Sequence, residues 1–224
     1  MSEAPLDILV TEVTNMHNGY VCVGGWCELE SRMVRPLSGR REHWNESLAK
    51  PELFQFGNVV RIVPAGFSSG RGLPHAREDC VVNGHPERIG NVETSDLADA
   101  LSPSESPSIQ KLFNGQMQES RYVMAGSDCA SLGAIRTHAQ RLGFDERAKP
   151  GGIVQLRCWF YDQTDSRYNL PVASRSLQLV QQKGGLDALT EHKAGARTAH
   201  VRIGLAHPFD DARAFAMVNH VFFF

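Results

Sequence analysis

The sequence predicts a mainly β protein with a minor α component, built as two small barrel-like halves joined by a short helical connection. Three observations carry that expectation. Short β-branched and aromatic runs alternate with Gly, Asn, Asp and Pro turn signals along both halves. Few stretches have the periodicity or length of a long helix. The 224 residues also suit two domains, each near the common size of about 100 residues. No short-period repeat points instead to a solenoid or propeller.

The first barrel is expected over residues 1–90. Asp7 to Val13 reads as a strand bounded by Asn15 and the Asn18-Gly19 turn. Tyr20 to Cys27 reads as a second strand, bent at Gly24-Gly25, and Arg32 to Leu37 as a third. Arg41 to Leu48 fits a short helix, Asn58 to Val63 a fourth strand ended by Pro64, and Glu78 to Val82 a fifth. The connection, 91–125, holds a helix start at Thr94-Ser95-Asp96. A second begins with Ser106 as N-cap and Pro107 at the first helical position, and Gly115 lies just past its end. The second barrel, 126–224, has strands at 152–161, 168–173, 199–205 and 215–223, with a hairpin turn at 162–166 and a short helix at 186–193.

Charge is uneven. Residues 1–120 carry 10 Lys and Arg against 16 Asp and Glu, whereas residues 121–224 carry 13 against 9. The basic second half permits phosphate contact without demanding it. Cys22, Cys27, Cys80, Cys129 and Cys158 show no C-x-x-C pair, so free thiols are expected. The first residues lack a secretory leader pattern, and no apolar run approaches the roughly 20 residues of a membrane span. A cytoplasmic protein without a membrane partner is the expectation.

The run NGYVCVGGWCELESRMVRPLS, with Gly19, Cys22, Val23, Gly24 and Arg35-Pro36-Leu37-Ser38, resembles the opening of the dual OB-containing domain proteins of bacteria. LPHAREDCVV, with Pro74, His75, Glu78 and Asp79, resembles a further segment of that family, and HVRIGLAHPFDDARAFAMVNHVF its closing strands. The resemblance spans nearly the whole chain. It implies two OB-like barrels and a nucleic-acid connection, in some members in a defence setting. Ala173-Ser174-Arg175 stands where the family often has Thr-Asp-Pro, so no role tied to that aspartate carries over.

Three groups of residues are candidates for chemistry. Arg35 lies on a strand leading to a loop with Arg40 and Arg41, where guanidinium groups suit phosphate. The alternative is a solvated loop whose arginines pair with Glu42 and Glu46. Alternation puts Trp159 and Tyr161 on one strand face and Phe160 on the other, with Arg157, Arg167 and Tyr168 nearby. That hairpin suits base stacking, on the strands where OB folds bind. The alternative places these aromatics in the core, as expected for Trp26 and Trp44. His75, Glu78 and Asp79, next to Cys80, offer metal-ligating or acid–base groups, but their spacing matches no zinc signature. A hydrogen-bonded loop is the competing reading. His200, His207 and His220 read as exposed polar residues near the last strands. There is no P-loop, dinucleotide fingerprint or His-Glu-x-x-His, and the glycine-rich run 66–72 has no helix and lysine after it.

The expected function is therefore a non-enzymatic module, without cofactor or metal, that binds single-stranded DNA or RNA. Arg35, Arg40 and Arg41 hold phosphates, Trp159 and Tyr161 stack bases, and Arg157 and Arg167 complete the surface. Two alternatives stand beside it: an adaptor for a protein partner, and a metal-dependent enzyme on nucleic acid or nucleotide centred on His75, Glu78 and Asp79.

Overall fold

The computed structural model describes residues 4–39, 42–45, 52–67, 72–208 and 211–224. They form two compact units, residues 1–104 with 130–132, and residues 105–129 with 133–224.

In the first unit, β1 (Leu6–Asn15), β2 (Tyr20–Cys27) and β3 (Arg32–Leu37) make an antiparallel meander. Asn18 and Gly19 take positive φ between β1 and β2, the conformation these two residues adopt most readily. β4 (Trp44–Asn45) pairs with β2. The described part of the predicted 41–48 helix is therefore not helical, with Trp44 and Asn45 in strand, because the Trp44 ring is drawn into the core and its Nε1 donates to the Pro36 carbonyl at 2.9 Å. Residues 41 and 46–48 lie outside the described residues. β5 (Asn58–Ile62) and β6 (Pro64–Phe67) are one run broken at Val63. Pro64 bends the strand where an end was expected; as a first strand residue it needs no N–H. β5 pairs with β1, β6 with β7 (Asp79–Val82), and β7 runs parallel to β3. That closes a ring of strands β1-β2-β3-β7-β6/β5, a five-stranded Greek-key barrel of the OB type. Ile8, Val10, Val21, Val23, Val34, Val60, Ile62 and Val82 fill it. β8 (Glu87–Asn91) extends the sheet beside β5; its polar, largely exposed residues carry no alternation, so nothing in the sequence marks it. Helix α1 (Leu97–Leu101) follows, starting where expected.

The second unit repeats the topology. β9 (Glu105–Ser106) precedes helix α2 (Ile109–Leu112). Ser106 is taken up by pairing with Ile135, so the helix starts later than predicted and Ser108 caps it, accepting from Lys111 N at 3.1 Å. β10 (Tyr122–Met124) leads to β11 (Leu132–His138) and, after a 3-10 turn at Ala139–Arg141, to β12 (Leu142–Ala148). β12, β13 (Val154–Tyr161) and β14 (Arg167–Pro171) form an antiparallel sheet. Helix α3 (Arg175–His192) then leads to β15 (Thr198–Leu205) and β16 (Arg213–Phe223). α3 is far longer than the predicted 186–193, because Gly184-Gly185 reads as a stop but only kinks it. β16 pairs with β15 and β15 with β11, while Val172 bridges Val218 in parallel, so this ring closes too. Leu156, Cys158, Phe160, Leu170, Val201, Ile203 and Val218 line its interior, with Leu177 and Leu189 of α3 packed on them. No described helix is long and apolar enough to cross a membrane.

The strand histidines are a correction. His200 and His220 are buried, at 1% and 6% exposure, and Arg202 is fully enclosed, because β15 and β16 are covered on both faces. Arg202 Nη1 donates to His200 Nε2 at 3.3 Å, so His200 Nδ1 carries the proton that goes to Glu105 at 3.0 Å. Burial pushes His200 down to about 4, against the pull of Glu105. It pushes His220 to about 3, helped by the charges of His192 and Arg202. Both imidazoles are neutral in the folded chain and free to protonate once it unfolds. Their contribution is complete above the ordinary value of about 6.5 and is lost as pH falls from there towards 4 and 3. Denaturant titrations across this range should show stability dropping by up to about 1.4 kcal/mol per pH unit for each histidine. His220→Gln should flatten the slope, and an unchanged slope in that variant would contradict the assignment.

Candidate nucleic-acid interface

The ring of the second unit dictates which side chains of β13 reach its surface. Leu156, Cys158 and Phe160 point inward, so Arg157, Trp159 and Tyr161 point outward, half-buried. The Trp159 indole crosses the paired strand at Gly143, where a Cβ would stand 2.5 Å from its Cζ2, so only glycine leaves room for the ring. The Arg167 guanidinium reaches over that ring, 5.6 Å from its centre. Arg141, from the turn between β11 and β12, lies 4.6 Å over Tyr161 and pairs with exposed Asp165 at 2.7 Å. Next to Trp159 on the same face, Arg157 Nε donates to Asn169 Oδ1 at 3.0 Å, and Asn169 Nδ2 donates to Asp145 at 2.8 Å. Buried Asp162 sets the hairpin turn, its carboxylate accepting from Thr164 N, Thr164 Oγ1 and Ser166 N. The result is two outward aromatic rings two residues apart, each beside a guanidinium. Rings of this kind stack bases, and guanidinium groups hold phosphates.

The matching face of the first unit is closed. Val21, Val23 and Val34 fill the interior, so Trp26, Met33 and Arg35 face outward, yet all three are buried. Trp26 and Met33 pack on Leu132. Arg35 Nη1 pairs with Asp79 at 2.6 Å and its Nη2 donates to Ser131 Oγ at 2.8 Å. Glu78 accepts from Ser131 N at 2.9 Å and from Ser131 Oγ at 2.7 Å. Burial holds the Glu78 carboxyl above its ordinary value, with Arg35 and Ser131 pulling the other way. Gly24 admits this packing: a Cβ there would meet Glu12 Oε2 and Leu132 Cδ1, each at 3.2 Å.

The whole-chain resemblance is decided at the level of the family: the sequence profile of the dual OB-containing domain matches residues 6–221. The chain belongs to that family. No curated protein sequence matches it. One chain of a solved replication protein A heterotrimer bound to single-stranded DNA is similar with a TM-score of 0.44 and 11% identity, over 98% of this chain and 49% of that one. The present chain thus spans about half the length of that relative. Where the family often has Thr-Asp-Pro, Ser174 here caps α3, accepting from Leu177 N at 3.4 Å, and its Oγ lies 3.0 Å from His220 Nδ1.

The structure brings Arg157, Trp159, Tyr161 and Arg167 onto one surface. It brings Arg35, Glu78 and Asp79 together in a buried network elsewhere, with His75 buried in the turn just before. Arg35 has its guanidinium engaged with Asp79 and Ser131 and turned away from solvent. Arg40 and Arg41 lie outside the described residues, as do 68–71 of the glycine-rich run. Among the described residues no three His, Cys, Asp or Glu side chains converge to hold a metal ion. Burial raises the thiols of Cys22, Cys27 and Cys158, which suits packing more than thiolate chemistry. Arg141, Gly143 and Asn169 join the site without a motif in the sequence to mark them. The alternation of Leu142 and Phe144 around Gly143 is the available signal.

Arg35→Ala would strip its guanidinium from a fully buried carboxylate. It should lower unfolding free energy by about 3–5 kcal/mol in chemical denaturation. A loss under about 1 kcal/mol would mean that Asp79 and Glu78 do not depend on it.

Proposed function

We propose that the chain binds single-stranded nucleic acid on the outer face of β12, β13 and β14. The observation that carries this reading is the pair Trp159 and Tyr161, outward on one strand with Arg167 and Arg141 over their rings. Bases stack on the rings, Arg157, Arg167 and Arg141 take phosphates, and the basic balance of residues 121–224 favours a polyanion. Asn169 has both ends of its amide engaged by Arg157 and Asp145. Little remains to read base edges, so binding is tolerant of sequence. Arg35 takes no part in holding the strand because its guanidinium is committed inside; Arg40 and Arg41 keep the phosphate-holding role that the sequence suggests for them.

Fluorescence anisotropy with labelled single strands across a salt series tests this. Trp159→Ala and Tyr161→Ala should each weaken binding by about tenfold or more. Arg141→Ala with Arg167→Ala should make the salt dependence shallower, by about 0.7 in log–log slope for each phosphate that is no longer neutralised. Absence of binding to DNA and RNA strands at low salt would overturn the reading in favour of a protein-partner role.

A further inference from the structure

The outward cationic row does not stop at Arg157. Arg121 immediately precedes β10, whose Tyr122 pairs with Phe215 of β16. Ala214, Ala216 and Val218 point into the core, so Arg213, Phe215 and Met217 face outward and are half-buried. The Arg213 guanidinium lies 5.6 Å from the centre of the Phe215 ring and 5.2 Å from that of Tyr122. Exposed Arg121 lies 6.0 Å from Phe215 on the same ring system. Tyr122, at 8% exposure, backs Phe215 at 5.6 Å and leaves it as the accessible ring. Asp211 steadies Arg213 through a 2.5 Å pair. This is the composition of the β13 face again: an outward aromatic ring with guanidinium groups beside it.

The two clusters are neighbours. Arg157 has its basicity lowered by burial first and then by the positive charges of Arg147 and Arg121, with Asp145 opposing. β14 joins the two clusters: its Asn169 pairs with Trp159 of β13, and Val172 just after it bridges Val218 of β16, so the outward surface runs from β13 across β14 to β16 and, through the Tyr122–Phe215 pair, to β10. Like charges gathered this closely favour an extended anion laid along them.

We propose that Phe215, with Arg121 and Arg213, is a second stacking station on the same track. The ligand is then a single strand long enough to reach from Trp159 to Phe215, and not a mononucleotide or a dinucleotide. The proposal rests on the assignment of the β12–β14 face as the nucleic-acid site.

Anisotropy with a labelled thymidine dinucleotide and a labelled oligothymidine of about twelve residues separates the two claims, since OB barrels occlude about 4–16 nucleotides. Phe215→Leu and, separately, Arg121→Glu should weaken binding of the longer strand by about tenfold and leave the shorter within about twofold, whereas Trp159→Ala should weaken both. Arg121 is exposed, so its reversal keeps the test open if Phe215→Leu fails to fold. If neither variant changes affinity for the longer strand while Trp159→Ala does, the second station is wrong and the β13 face stands. If the unaltered chain binds neither strand, both claims fall.

Discussion

A strand in a closed barrel has only two directions for its side chains, and β13 is governed by that constraint. Leu156, Cys158 and Phe160 must fill the ring interior between β12 and β14, which forces Arg157, Trp159 and Tyr161 to the outside. An outward indole would ordinarily lie loose. Here the bare backbone of Gly143 accepts it from one strand, and Arg167 reaches it from the other. The site thus arises from packing inside the barrel: change the register of β12 against β13 and Gly143 no longer meets Trp159.

The two barrels share a topology but put the same face to different uses. In the first unit, residues 130–132 cover the outer side of β2 and β3, and Ser131 satisfies both Arg35 and Glu78. A buried arginine among carboxylates is costly to leave half-paired, so the set is retained or lost together. In the second unit the equivalent strands carry half-buried aromatics with half-buried Arg157 and exposed Arg167 beside them. One face is covered by the chain itself, and on the other the rings and guanidinium groups reach the surface.

Strands such as Tyr20 to Cys27 and Val154 to Tyr161 are legible in the sequence because β-branched and aromatic runs sit between turn residues. Strand alternation also sorts Trp159 and Tyr161 from Phe160. β8, β11 and β12 escape such a reading: the first has Ile89 as its one large apolar side chain, and the other two have a glycine in second place and a polar second half. The partners of the site are not legible either, because Arg141 and Gly143 meet the β13 rings only through cross-strand register. Arg35 shows the same limit more sharply. Its strand position indicates an outward face, but what covers that face comes from Ser131, 96 positions away.

A single strand lying on the outer face of β12, β13 and β14 is the central claim, and one titration tests it most directly. Oligothymidine is added to isotope-labelled protein while the amide and indole N–H resonances are followed. The largest shifts are expected on β12, β13 and β14, with the Trp159 indole N–H among them, while the buried network around Arg35 stays unchanged. Shifts confined to the first unit, or none at a strand concentration that saturates binding, would contradict it.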